Sequence, residues 1–128
     1  MDLSSLYDDS SIIDALKYNE GPLLINAGPG SGKTQFLTTK AAYLILKENI
    51  KEEEIILCTF TEKAAIELKN RIKFLLNKID PIKASLINID KIRAGTIHSI
   101  FLNIIEDNIH YTNLSSGFSV LNELDRKL

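Results

Sequence analysis

The chain has 128 residues, of which 45% are hydrophobic and 25% charged, which is typical of one globular domain and excludes a collagen, a disordered tail and a membrane-spanning protein. The formal net charge of −2 excludes a uniformly basic nucleic-acid-binding surface but allows a local basic face. The single cysteine, Cys58, cannot form an internal disulfide, and the N-terminus has no apolar signal segment, so we expect a cytoplasmic protein without membrane contact.

The first half of the chain alternates helix-like and strand-like patterns. An acidic N-terminal stretch contains a short amphipathic helix over residues 10–18. Apolar residues 23–27 predict a buried strand, residues 33–48 a helix, and residues 55–60 a second strand. Because a helix-length insert separates the two strands, the pattern predicts a βαβ crossover with a parallel pair.

The second half continues in the same way. Residues 62–77 have helical periodicity and follow Thr61, a suitable N-cap, while residues 85–89 and 92–96 are weaker strand candidates. A helix is then predicted from apolar residues at helical spacing, which are Ile97, Ile100, Phe101, Ile104 and Ile105. The segment 118–128 ends inside a helix-like pattern with no stop signal. We therefore expect an α/β fold with a parallel sheet flanked by helices.

A glycine-rich loop stands between the first predicted strand and the helix that follows it. Glycines let backbone N–H groups turn towards a phosphate, and a helix N-terminus adds its free N–H groups and positive dipole end. The lysine of such a loop reaches the β- and γ-phosphates, and the next hydroxyl binds Mg²⁺. The candidate ATP-binding residues are Ala27, Gly28, Pro29, Gly30, Ser31, Gly32, Lys33, Thr34 and Gln35.

Within this loop, Lys33 and Thr34 are the candidate catalytic residues, and Thr34 is the candidate Mg²⁺ ligand through the nucleotide. Ala27 stands where the strict pattern has glycine, which leaves the loop intact. A glycine–serine turn with an accidental lysine is the alternative, and the strand–loop–helix context disfavours it. The motif alone does not distinguish a kinase, a GTPase and a motor.

Two later segments carry candidate nucleic-acid contacts. Thr59, Phe60 and Thr61 lie where a predicted strand ends and a helix begins, a place suited to a phosphodiester and to base stacking. The alternative is a buried Phe60 with Thr61 as a plain cap. By its position alone, His98 caps a helix or hydrogen-bonds near a helix start; it has no partner at metal-ligand spacing, and a catalytic pair with Ser99 is disfavoured.

Three segments in order resemble motifs of UvrD/Rep-like superfamily 1 DNA helicases. AGPGSGKT at residues 27–34 resembles motif I, CTFTEKAAIELKNRI at 58–72 resembles motif Ia, and AGTIHSIF at 94–101 resembles motif Ib. The resemblance implies a P-loop NTPase, with residues 1–113 as the incomplete N-terminal part of the first RecA-like domain. Residues 114–128 would begin the inserted helical subdomain, because GFSVLNE resembles its start.

The same resemblance implies an ATP-dependent DNA helicase that moves 3′ to 5′ along single-stranded DNA, with ATP and Mg²⁺ as cofactors. By itself this chain is expected to be a fragment that binds nucleotide but neither hydrolyses it nor unwinds DNA. The resemblance assigns DNA contacts to Thr59, Phe60, Thr61, Lys63, Thr96, His98 and Ser99.

The sequence departs from the family pattern in four places. The upstream glutamine that reads adenine is missing, Glu62 replaces the usual asparagine of motif Ia, and Ile97 replaces the phenylalanine of motif Ib. A carboxylate beside DNA would repel phosphate, although Glu62 also suits a helix start. No apolar strand ends in the acidic pair that holds the metal, so hydrolysis by this chain alone is expected to be very poor.

Charge gives limited support to a DNA-binding face. Residues 63–93 carry eight basic side chains against three acidic ones, although a solvated helix face explains most of these lysines. Two other functions are left open by the sequence. One is a different P-loop enzyme such as a small-molecule kinase, and the other is a non-catalytic remnant that binds nucleotide or DNA.

Overall fold

A computed structural model describes residues 2–121 as a mixed helix and strand fold. In chain order the elements are α1 (Ser10–Lys17), α2 (Lys33–Leu46), β1 (Ile56–Thr59), α3 (Glu62–Ile79), α4 (Pro81–Ala84), β2 (Arg93–Thr96) and α5 (Ile97–Asp107). Short 3-10 turns lie at Leu3–Leu6, Glu52–Glu54, Ile89–Lys91 and Ile109–Tyr111. This part of the chain has no helix long and apolar enough to cross a membrane.

The helices form where periodicity and capping residues predict them. α1 follows Asp9, whose carboxylate accepts the Ser11 amide at 2.8 Å, and α3 follows Thr61, whose hydroxyl accepts the Ala64 amide at 3.1 Å. Each cap satisfies an amide that has no partner inside its helix. The predicted helices over 10–18, 33–48 and 62–77 are thus confirmed, with ends that shift by up to two residues.

The sheet consists of β1 and β2, which pair in parallel with Ile56 opposite Arg93 and Thr59 opposite Thr96. α3 lies between the two strands in sequence and packs on both of them, so β1, α3 and β2 form a crossover. The crossover predicted from residues 23–27 through the helix 33–48 to residues 55–60 is not formed. Leu57 is buried at 6% exposure while Ile56 is 52% exposed, so the helices cover one face of the sheet. The small parallel sheet and its helices fit the predicted α/β class.

Two strand predictions are wrong. Residues 23–27 form no strand, because their backbone groups have no partner strand: the sheet of residues 2–121 consists of β1 and β2, and Leu24 is 93% exposed. Residues 85 and 86 form a turn, in which the Leu86 amide bonds to the Lys83 carbonyl at 3.0 Å, and residue 89 begins a 3-10 turn. The strands predicted at 55–60 and 92–96 are confirmed as β1 and β2 and pair with each other, whereas the predicted pair joined residues 23–27 to 55–60.

The core lies between α2, α3 and the buried face of the sheet. Its members are apolar and almost inaccessible, including Ala41, Ala42, Ile45, Leu57, Ile72, Leu76 and Ile92. The helix predicted from the apolar stripe at residues 97–105 is confirmed as α5, but Ile100 is its one buried residue and Phe101 is 60% exposed. α5 packs chiefly on β2, so most of its stripe faces away from the core.

Lys40 of α2 connects this helix to the end of α1 through hydrogen bonds. Its ammonium group donates to the Leu16 carbonyl at 2.7 Å, to the Ala15 carbonyl at 3.3 Å and to the Tyr18 carbonyl. These are carbonyls at the end of α1 that lack partners within the helix. Burial lowers the pKa of Lys40 because desolvation disfavours the charged form. The predicted segment at 118–128 lies mostly outside the described residues.

Candidate nucleotide and nucleic-acid site

The glycine-rich loop forms an open turn at the N-terminus of α2. Gly30 and Gly32 have φ angles of 74° and 83°, a left-handed conformation that side chains with a Cβ rarely adopt. A Cβ built on Gly28, Gly30 or Gly32 meets nothing within 4 Å, so the space above the loop is free. A backbone turn of this kind, followed by free helix amides, fits the phosphate groups of a nucleotide.

Lys33 folds back over the loop that it follows. Its ammonium group donates to the carbonyls of Ala27 at 2.8 Å and Gly28 at 3.3 Å. The Ser31 amide and hydroxyl also bond to the Gly28 carbonyl, the amide at 3.3 Å. The lysine cation is therefore held at the loop, and its side chain is exposed.

The two residues after Lys33 face different cavities. Thr34 lines a cavity of about 310 Å³ together with Thr59 and Phe60, so the nucleotide loop and the end of β1 share one space. Gln35 lines a separate groove between α2 and α3, and its carbonyl accepts the hydroxyls of Thr38 and Thr39 at 2.9 and 2.8 Å. The structure thus places Thr34 beside the end of β1 and Gln35 beside the later part of motif Ia on α3.

A charged pair that the sequence interpretation missed lines the same cavity. The Arg71 guanidinium bonds to the Glu67 carboxylate at 2.5 Å, one turn apart on α3, with both side chains about half exposed. The (i, i+4) spacing is the signal that could have identified this pair. The pair places a guanidinium at the cavity that Thr34 lines, and a guanidinium can bind a negatively charged ligand there.

The end of β1 is fixed by hydroxyl contacts. The Thr59 hydroxyl donates to the Thr61 carbonyl at 2.8 Å and lies 3.4 Å from the Gly95 carbonyl. Between these threonines, Phe60 is fully exposed. The interpretation of Phe60 as a core residue is therefore wrong, and its ring is free to stack on a base. Lys63, also exposed, follows in the first turn of α3.

The start of α5 is held by a mutual cap. The Thr96 hydroxyl accepts the Ser99 amide at 3.2 Å, and the Ser99 hydroxyl donates to the Thr96 carbonyl at 3.0 Å. Ser99 is thus engaged by Thr96, and His98 is exposed beside it. Within residues 2–121 no cluster of three or more His, Cys, Asp or Glu side chains could hold a metal ion.

Glu62 joins the starts of α3 and α5. Its carboxylate lies 3.4 Å from both the Thr96 amide and the Thr96 hydroxyl, across 34 positions of sequence. A hydrogen bond from Ser99 is the largest cause that lowers the pKa of Glu62, followed by the Thr96 amide, so this carboxylate is ionised at neutral pH. The sequence identified Glu62 as a departure but gave no sign of these partners.

Many basic side chains of residues 63–93 are engaged locally. Arg93 bonds to Asp107 at 2.8 Å, and Lys91 lies 3.8 Å from Glu53. Lys83 donates to the Leu46 carbonyl at 2.8 Å. These contacts agree with the interpretation of this stretch as a set of ordinary surface charges, so a local DNA-binding face must depend on few cations.

Comparison with known proteins establishes the family to which this chain belongs. The UvrD/REP helicase N-terminal domain matches residues 9–128, and the chain belongs to this family. The family inferred from the three motifs is confirmed.

Individual relatives are ATP-dependent DNA helicases by name. The chain is 40% identical over 83% of its length to SRS2 of Saccharomyces cerevisiae and 35% identical over 88% to PcrA of Bacillus subtilis. It is 39% identical over 90% of its length to Rep of Buchnera aphidicola. The chain spans 8% of SRS2, 14% of PcrA and 16% of Rep, so it corresponds to a small part of each relative.

Proposed function

We propose that this chain is the nucleotide-binding part of an ATP-dependent helicase that moves 3′ to 5′ along single-stranded DNA. Residues 1–113 would belong to the first RecA-like domain, and residues 114–128 would begin the inserted helical subdomain. By itself the chain binds ATP with Mg²⁺ and neither hydrolyses it appreciably nor unwinds DNA, because phosphoryl transfer needs further groups.

The observation that carries the proposal is the open glycine turn at the start of α2, with Lys33 held over it. Glycine positions with free space above them let backbone amides approach a phosphate closely. The relatives named above are ATP-dependent, and their similarity covers this loop. The fully exposed Phe60 and the cavity shared by Thr34 and Thr59 support a strand-binding surface next to the nucleotide.

In this proposal each residue of the loop has a physical task. The amides of Gly28, Gly30 and residues 32–34 would hold the phosphates, and Lys33 exchanges its carbonyl contacts for the β- and γ-phosphates. The Thr34 hydroxyl would hold Mg²⁺, which would offset the charge of the phosphates when bound. Gln35 contributes to the nucleotide site through its backbone, which lies in the first turn of α2.

The strand-binding residues lie beside the nucleotide loop. Motif Ia would bind the strand, with a phosphodiester held by Thr59, Thr61 and Lys63 and a base stacked on Phe60. The start of α5 would add further contacts to the strand from Thr96, His98 and Ser99. Because Thr34 and Thr59 line one cavity, a shift of the loop on nucleotide binding would directly affect the surface proposed to bind DNA.

The test is Lys33→Ala, which removes a cation that would make charge-assisted bonds to two phosphates. We expect binding of ATP with Mg²⁺ to weaken about tenfold or more, measured by calorimetry on the 128-residue chain. Lys73→Ala, an exposed lysine on α3, is the control and should bind as the parent does.

Equal affinity in Lys33→Ala and the parent would contradict the proposal. A small-molecule kinase is the competing enzyme, and it would show transfer of phosphate to an added substrate by this chain. A non-catalytic remnant would bind ATP and DNA but would not gain hydrolysis when the rest of the protein is supplied. ATP hydrolysis stimulated by single-stranded DNA in the longer protein would exclude both alternatives.

A further inference from the structure

The Glu62 carboxylate lies beside the start of α5, within the proposed strand-binding surface. It faces the Thr96 amide and the Thr96 hydroxyl, and the resemblance assigns Thr96 to DNA contact. A carboxylate and a phosphodiester are both oxygen anions that accept from such donors. The two groups therefore compete for one set of donors.

The local packing gives Glu62 this position. Glu62 is the first residue of α3, and the Thr61 cap before it fixes the direction of the helix start. Gly95 lets the two helix starts approach, because a Cβ at this position would lie 3.5 Å from the Glu62 carboxylate and would collide with the Ser99 hydroxyl. The carboxylate thus reaches Thr96 across the end of the sheet.

The contact is weak enough to be exchanged. Both distances from Thr96 to Glu62 are 3.4 Å, longer than the usual 2.9 Å or so of an amide hydrogen bond. Glu62 is exposed, so its carboxylate can turn into water when another anion arrives. Its negative charge nevertheless stays close to an arriving phosphate and opposes it.

We propose that Glu62 is an internal competitor of the DNA phosphate: its carboxylate occupies the Thr96 amide and hydroxyl in the free protein and must be displaced when single-stranded DNA binds. The proposal rests on the proposed function, since it concerns the same strand-binding surface. Glu62 then sets the affinity of the surface for DNA, and it keeps the donors satisfied while no strand is bound.

The experiment is a fluorescence anisotropy titration of labelled oligothymidylate with the 128-residue chain. Glu62→Gln removes the charge but keeps an acceptor, and we expect the dissociation constant to fall about threefold at about 0.1 M salt, where the Debye length is about 10 Å. Glu106→Gln is the matched control, because it changes net charge equally but lies near the end of α5, about 15 Å from Thr96. That distance exceeds the Debye length, so the Glu106→Gln variant should bind oligothymidylate with the same affinity as the parent.

A second variant tests the shared donors. Thr96→Val should weaken DNA binding more in the Glu62→Gln background than in the parent, where the Thr96 hydroxyl already faces the Glu62 carboxylate. Circular dichroism verifies that each variant is folded. Equal or weaker binding by Glu62→Gln, or additive effects of the two changes, would overturn this inference while leaving the proposed function intact. If neither the parent nor any variant binds oligothymidylate, the strand-binding proposal fails as well.

Discussion

Gly95 shows at the scale of one residue how closely motifs Ia and Ib approach each other. It is a buried residue of β2, paired with Cys58 of β1, and its missing side chain leaves room for the Ser99 hydroxyl and the Glu62 carboxylate. Its φ angle is ordinary, so the requirement for glycine is one of space and not of backbone conformation. A glycine of this kind fixes the geometry of two helix starts at once.

Gly95→Ala should destabilise the protein, because the added methyl collides with the Ser99 hydroxyl, which must turn away from its hydrogen bond to the Thr96 carbonyl. We expect a loss of about 1–3 kcal/mol in the free energy of unfolding, measured by urea denaturation. Gly117→Ala is the matched control, since a Cβ there meets nothing within 4 Å. Equal stability of the two variants would contradict the packing described for Gly95.

At the scale of elements, the sequence predicts helices better than strands. Periodicity and caps such as Asp9 and Thr61 are local signals, and α1, α2 and α3 follow them closely. Strand formation depends on a partner elsewhere in the chain, which is why residues 23–27 could not be assigned from their apolar character alone. β2 formed as expected because β1 lies beside it.

Like the fold, the candidate site could be predicted from the sequence only where the signal is local. The loop from Ala27 to Thr34 has a strong local signature, and its glycine turn is present. The partners of Glu62 and the entry of Arg71 into the cavity beside Thr34 depend on tertiary contacts. No periodicity or motif reports such contacts, so the structure was needed to find them.

The cap of α3 gives a prediction at this scale. Thr61→Ala leaves the Ala64 amide without its acceptor, and we expect a loss of about 1 kcal/mol in the free energy of unfolding. Thr61→Ser keeps the hydroxyl and should retain most of the stability. Urea denaturation of the three proteins makes the comparison, and an alanine variant as stable as the parent would show that the cap contributes nothing.

For the whole molecule, the distribution of charge decides how DNA can bind. The chain has a net charge of −2, and several cations of residues 63–93 are engaged with carboxylates or carbonyls. Few phosphates can therefore be neutralised, and we expect weak binding carried largely by hydroxyls, amides and the exposed ring of Phe60. The first turn of α2 and the end of β1 both line one cavity, which contains Thr34 and Thr59.

The salt dependence of single-stranded DNA binding tests this account most directly. Labelled oligothymidylate titrated with the parent chain at about 50 to 200 mM salt should give affinities that fall with a log–log slope of about −1, the value for one or two phosphate contacts. A slope near zero would contradict a phosphate-contacting surface. A slope several times steeper would contradict the finding that most cations of the basic stretch are engaged within the protein.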